Sequence, residues 1–105
     1  MKLVLSRRAQ EDLFETWEYI AEHDELAADH YIDYLRQRAM ELLEFPELGR
    51  IRNEISPELR SLLARNHLLF YRIHSGEIQI LRILHGNRDL PNQEFPVEPI
   101  GSPPG

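Results

Sequence analysis

A chain of 105 residues, 42 % of them hydrophobic, has room for one compact core and little beyond it. It has no cysteine, which excludes disulfides and thiol chemistry, and no apolar run near the ~20 residues of a membrane span. A net charge of −6 argues against tight nonspecific binding to nucleic acid, because phosphate contacts need cations.

In chain order, KLVL at residues 2–5 reads as a short strand, and Ser6 can cap a following helix through its hydroxyl. Ala9, Leu13, Trp17, Ile20 and Ala21 recur at spacings of three and four and mark one helical face. Glu11, Asp12, Glu15, Glu18 and Glu22 occupy much of the rest of the helix, and Glu11, Glu15, Glu18 and Glu22 are expected on the solvent side. Asp24 is the expected cap of a second helix, from about Glu25 to Glu44, with a stripe of Ala28, Tyr31, Ile32, Leu35, Ala39, Leu42 and Leu43. Pro46 and Gly49 stop it, and the short link between the helices predicts an antiparallel hairpin.

Residues 50–58 read as a loop. Three β segments follow: LRSLLAR (59–65), HLLFYRIH (67–74) and EIQILRILH (77–85). Ser75-Gly76 reads as a two-residue turn, which places Arg72 opposite Gln79 and Arg82 opposite Leu69. On that register Leu69, Tyr71, Ile73, Ile78, Ile80, Arg82 and Leu84 share the face expected to meet the helices. Ile83 falls on the other face, and His67 and His85 fall on opposite faces. The segment 91–105 holds five of the seven prolines and is expected as a flexible tail beyond a single domain, 1–90.

The charges are unevenly placed. Residues 1–49 carry net −7 and residues 50–89 net +3, and eleven of the twelve basic residues are arginine. The five histidines show neither HxxxH nor HExxH spacing, so no metal site and no cofactor are expected. His85 with Asp89 could form a dyad, but no serine or cysteine nucleophile lies near. The remaining candidates are Arg60, Arg65, Arg72, Arg82 and Arg88, with His85 at the end of the last strand. Guanidinium groups have the forked donors that phosphate and carboxylate require. The structural alternative pairs Arg72 and Arg82 with Asp89, Glu77 or a terminal carboxylate inside the fold.

Three segments carry a family likeness: SRRAQEDLFETWEYIAEHD, FPELGRIRNEISPELRSL and LLFYRIHSGEIQILRILHGNRDL. Together they span about 2–90 and resemble ParE-like members of the RelE/ParE superfamily of type II toxin–antitoxin toxins, the plasmid stabilisation proteins. The resemblance implies an α+β fold: an N-terminal strand, an antiparallel helical hairpin, then a three-stranded antiparallel meander. It implies a cytoplasmic toxin that inhibits DNA gyrase and is neutralised by a cognate ParD-like antitoxin. The RelE-like alternative is a ribosome-dependent messenger-RNA endoribonuclease, with Arg72 and Arg82 on phosphate and His85 or His67 as acid or base. The single lysine, Lys2, lies far from the meander, and no Tyr or His follows Arg88, which favours the ParE side. On that side no catalytic residue is expected, and Arg60, Arg65, Arg72, Arg82, His85 and Arg88 become contacts for an acidic partner or groups that order the C-terminal end. Neither a membrane nor sequence-specific nucleic-acid binding by this chain alone is expected.

Overall fold

Ser6 sets the boundary between the first strand, β1 (Lys2–Leu5), and the first helix, α1 (Arg7–Ala21). Its backbone is extended, and its Oγ accepts from the Ala9 N–H at 3.0 Å, satisfying a donor the helix itself leaves open. The same hydroxyl donates to the Leu81 carbonyl at 2.7 Å, so one side chain caps α1 and fastens it to the sheet. Asp24 repeats the capping for α2 (Glu25–Glu44), accepting from the Ala27 N–H at 3.1 Å. This computed structural model describes residues 1–86; Arg88 and the segment 91–105 expected as a tail lie outside the described residues.

Among the described residues the sheet has five strands: β1, β2 (Arg50–Ile51), β3 (Arg60–Ala64), β4 (His67–His74) and β5 (Glu77–His85). Their order is β1-β5-β4-β3-β2, with β1 parallel to β5 and the other pairs antiparallel. A parallel pair needs a long crossover, here supplied by the helical hairpin and the first strands of the meander. The residues expected as a loop at 50–58 include β2, whose Arg50 and Ile51 pair with Ser61 and Arg60.

The two helices lie on one face of the sheet. Ala9, Leu13, Leu35, Ala39 and Leu42 meet Leu62, Ala64, Leu69, Tyr71, Ile78, Ile80 and Ile83 there. Leu59, Phe70, Leu81 and Leu84 form a second cluster, with Ile55 and Leu68 packed against it.

The hairpin turn is as expected at its tip: Ser75 and Gly76 both have positive φ, 52° and 73°, and Arg72 pairs with Gln79. The register then changes. A bulge between Phe70 and Tyr71 on one strand and Ile80 and Arg82 on the other leaves Leu81 without its own opposite residue. Arg82 therefore opposes Phe70, not Leu69. Ile83 belongs to the helix-facing core and Leu84 to the other cluster, the reverse of the sequence-based assignment. One inserted residue shifts a period-two pattern by half its period, so every later side chain changes face.

Candidate partner-binding surfaces

β1 ends at Leu5, and beyond it α1 takes over the contact with β5. The Ser6 N–H donates to the Ile80 carbonyl at 2.9 Å, and one turn and a half later Asp12 reaches the same strand. Asp12 Oδ2 accepts from Arg82 Nε at 2.8 Å and from the Ile83 N–H at 2.9 Å, and Oδ1 accepts from Arg82 Nη2 at 3.0 Å. Asp12 is 6 % and Arg82 2 % exposed. Asp12 was expected off the apolar face of α1; it is the buried carboxylate that fixes Arg82. A charge placed this deep is tolerated when it is paired and its remaining bonds are satisfied. Arg82 thus orders the end of β5 from within.

At that end His67 and His85 are directly opposite in the register, with ring centroids 5.4 Å apart and edge-on. The expectation that they lie on opposite faces fails for the same reason as above, the bulge. Tyr31 Oη lies 2.6 Å from His67 Nδ1. Burial raises the Tyr31 phenol above its ordinary 10.0, and Tyr34 adds to the rise; the Asn66 backbone and Arg65 offset part of it. The two groups share one hydrogen bond, its direction set by the tautomer of His67. The surrounding cavity, about 620 Å³, also includes Thr16, Tyr19 and Glu15. No group of three or more His, Asp or Glu suited to a metal occurs among the described residues.

Among the described residues, the other candidate arginines do not gather there. Arg60 Nη1 donates to the Gly49 carbonyl at 2.9 Å, closing the end of α2 onto β3. Arg65 sits in the β3–β4 turn with a φ of 52°, its guanidinium 4.2 Å from the Tyr34 ring centroid. Arg72 Nε donates to Gln79 Oε1 at 2.7 Å across the β4–β5 pair. Arg52, not singled out from the sequence, bonds Glu54 at 2.7 Å and Ser61 Oγ at 3.1 Å and lies over Phe70. Its hydrogen bond holds the exposed Glu54 carboxyl below the ordinary range.

A different kind of surface lies where the two helices meet the end of β1. A groove of about 480 Å³ is lined by Leu5, Leu13, Phe14, Trp17, Ile32 and Arg36. Phe14 is 60 % exposed, and its ring stacks on Trp17 at 6.4 Å. Trp17 Nε1 donates to Asp29 Oδ1 at 2.8 Å, which fixes the indole across the two helices.

Two of these features were missed in the sequence. Asp12 stands three residues after Ala9 and beside Leu13, so its helical phase already placed it towards the sheet. Phe14 is one residue off the core stripe, and nothing in the spacing separates a groove wall from a solvated aromatic. No described helix is long and apolar enough to cross a membrane.

The family model described as the ParE toxin of the type II toxin–antitoxin system parDE matches residues 3–90. The chain is 37 % identical over 93 residues to Toxin ParE1 of Mycobacterium tuberculosis, covering 85 % of this chain and 93 % of that one. It is 33 % identical over 82 residues to Toxin RelE3 of Caulobacter vibrioides, covering 77 % and 89 %. A solved structure titled as the chromosomal ParDE TA system from P. aeruginosa superposes with a TM-score of 0.71 at 25 % identity. It covers 81 % of this chain and 95 % of that one.

Proposed function

Because the chain belongs to the ParE toxin family of type II toxin–antitoxin systems, we propose that it inhibits DNA gyrase by protein contact and is neutralised by direct binding of a cognate ParD-like antitoxin. The solved relative is titled as a ParDE system, the pairing of toxin with antitoxin that the proposal carries over. With gyrase as its target, the toxin would act in the cytoplasm.

The observation that carries the non-catalytic part is the use made of the arginines. Arg82 is bound by Asp12, Arg60 by the Gly49 carbonyl and Arg72 by Gln79, and Arg65 is stacked on Tyr34. A phosphodiester-cleaving site needs guanidinium groups converging on one phosphate beside an acid and a base. These four serve four separate places in the fold. Arg65 and Arg72, together with His85 and with Arg88 beyond the described residues, remain the contacts proposed for an acidic partner.

The test is to titrate purified protein into a gyrase supercoiling reaction and, in parallel, into ribosomes carrying message. Dose-dependent loss of supercoiling, with message intact, is the expected result. Full supercoiling at high excess, with message cut by the native protein and left whole by His85→Ala, would replace this reading with the ribosome-dependent endoribonuclease.

A further inference from the structure

We propose that the end of the fold where α2 stops, around Phe45 and Leu48, is the contact for a basic, apolar surface on the toxin's protein target. The inference rests on the reading of the chain as a toxin that acts on gyrase by protein contact. It adds the place of that contact and the chemistry of what it meets.

Apolar side chains gather there in the open. Phe45 is 58 % and Leu48 46 % exposed, and Met1 and Ile51 are exposed as well. Met1, Phe45, Pro46, Leu48 and Ile73 line a cavity of about 620 Å³. Ile73 also lines a second depression, of about 270 Å³, together with Ile51 and Leu59. The two are therefore continuous through Ile73. Single exposed apolar residues are ordinary, but a cluster of them left in water marks an interaction site.

The sheet holds this surface in place. Tyr71 Oη, from β4, accepts from the Gly49 N–H and donates to the Pro46 carbonyl, both at 2.8 Å. Arg60 Nη1, from β3, donates to the Gly49 carbonyl at 2.9 Å, and the Leu48 N–H donates to the Phe45 carbonyl at 3.1 Å. These bonds use backbone groups, so residues 45–49 are fastened while Phe45 and Leu48 keep their side chains in solvent. A surface already fixed spends less entropy when it is covered.

Charge selects the occupant. Glu44 is the last residue of α2, Glu47 follows it, and both line the cavity. The last turn of α2 has no basic residue, although the negative pole of a helix favours a cation there. Among the described residues lining the two depressions, Arg60 is the single cation against Glu44, Glu47 and Glu58. A lysine or arginine brought by a partner meets both the carboxylates and the helix end. A second copy packed two-fold on this surface would set these carboxylates against their own images. The segment 91–105 carries Glu94 and Glu98 and no cation. Arg65, Arg72 and His85, proposed above for an acidic partner, do not line this surface.

The full chain and three variants are titrated into a gyrase supercoiling reaction: Phe45→Ser/Leu48→Ser, Glu44→Gln/Glu47→Gln and the control Glu22→Gln. Glu22 lies beyond the other end of α2, about 30 Å away along the helix. Circular dichroism and the affinity for the co-expressed antitoxin verify that each variant is folded. Both double variants should need about tenfold more protein for half-inhibition, with antitoxin affinity and the Glu22→Gln control unchanged. Glu44→Gln/Glu47→Gln should also flatten the dependence of inhibition on salt. Native potency in Phe45→Ser/Leu48→Ser overturns the surface and keeps the toxin reading. Loss of antitoxin affinity along with inhibition gives the surface to the antitoxin and overturns the proposal. So does a dimer of the native chain, seen by sedimentation, that Phe45→Ser/Leu48→Ser dissolves. Full supercoiling with the native chain in high excess overturns the gyrase reading and the proposal together.

Discussion

Replacing Asp12 with alanine removes a carboxylate that three donors share: Nε and Nη2 of Arg82 and the Ile83 N–H, at 2.8, 3.0 and 2.9 Å. The guanidinium left behind is 2 % exposed and cannot recover its hydration in place. Breaking a buried pair from one side costs about 3–5 kcal/mol. Of that, about 1–3 kcal/mol is the Ile83 N–H losing its acceptor in the interior. Against a total stability of about 5–15 kcal/mol, this is a large share. It corresponds to a fall in melting temperature of about 15–30 °C. Urea unfolding followed by far-UV circular dichroism measures it. Asp12→Asn keeps an oxygen for the Ile83 N–H and should lose about half as much. The double variant Asp12→Leu/Arg82→Met should be more stable than Asp12→Ala, because neither charge then remains in the interior. A loss below about 1 kcal/mol for Asp12→Ala would falsify the claim that this pair holds β5 to α1, as would single losses that simply add in the double variant.

Tyr71 gives a pH dependence. Its Oη accepts from the Gly49 N–H and donates to the Pro46 carbonyl, both at 2.8 Å, and burial raises its phenol above the ordinary 10.0. A folded-state value raised above the unfolded one adds stability that is complete below pH 10.0 and is lost as pH climbs through the raised value. Unfolding midpoints should therefore decline above that point, and Tyr71→Phe should remove this part of the alkaline decline. At neutral pH the same variant should cost about 1–2 kcal/mol for the Gly49 N–H it leaves unpaired; an unchanged midpoint would show that water replaces the phenol. Gly49 itself admits no side chain: a Cβ there would stand 2.5 Å from Tyr71 Cε1 and 2.9 Å from the Ser61 carbonyl. Gly49→Ala should destabilise by about 1–3 kcal/mol in the same denaturation assay, and near-native stability would mean that the end of α2 can move away from β3.

The elements were legible in the sequence because they are set by short-range chemistry. Ser6 and Asp24 cap the helices with their own side chains, and the stripe from Ala9 to Ala21 is periodic. Ser75-Gly76 fits a turn that needs two positive φ angles. The segments that resemble ParE-like toxins extended this to the α+β arrangement of hairpin and meander. Tertiary structure decided the rest. The parallel pairing of β1 with β5 joins residues 75 apart, such as Lys2 and Glu77, and no local pattern names that neighbour. The bulge at Leu81 is one extra residue in an apolar run, invisible to alternation, yet it reverses the faces of Ile83 and Leu84 and brings His67 and His85 together. Asp12 carried its helical phase in the sequence, but its partner at Arg82, 70 residues away, exists only once α1 docks against β5. Local chemistry settles which residues form a helix or a strand; which charges meet is settled by packing, because a buried charge takes the partner that the docked elements bring to it.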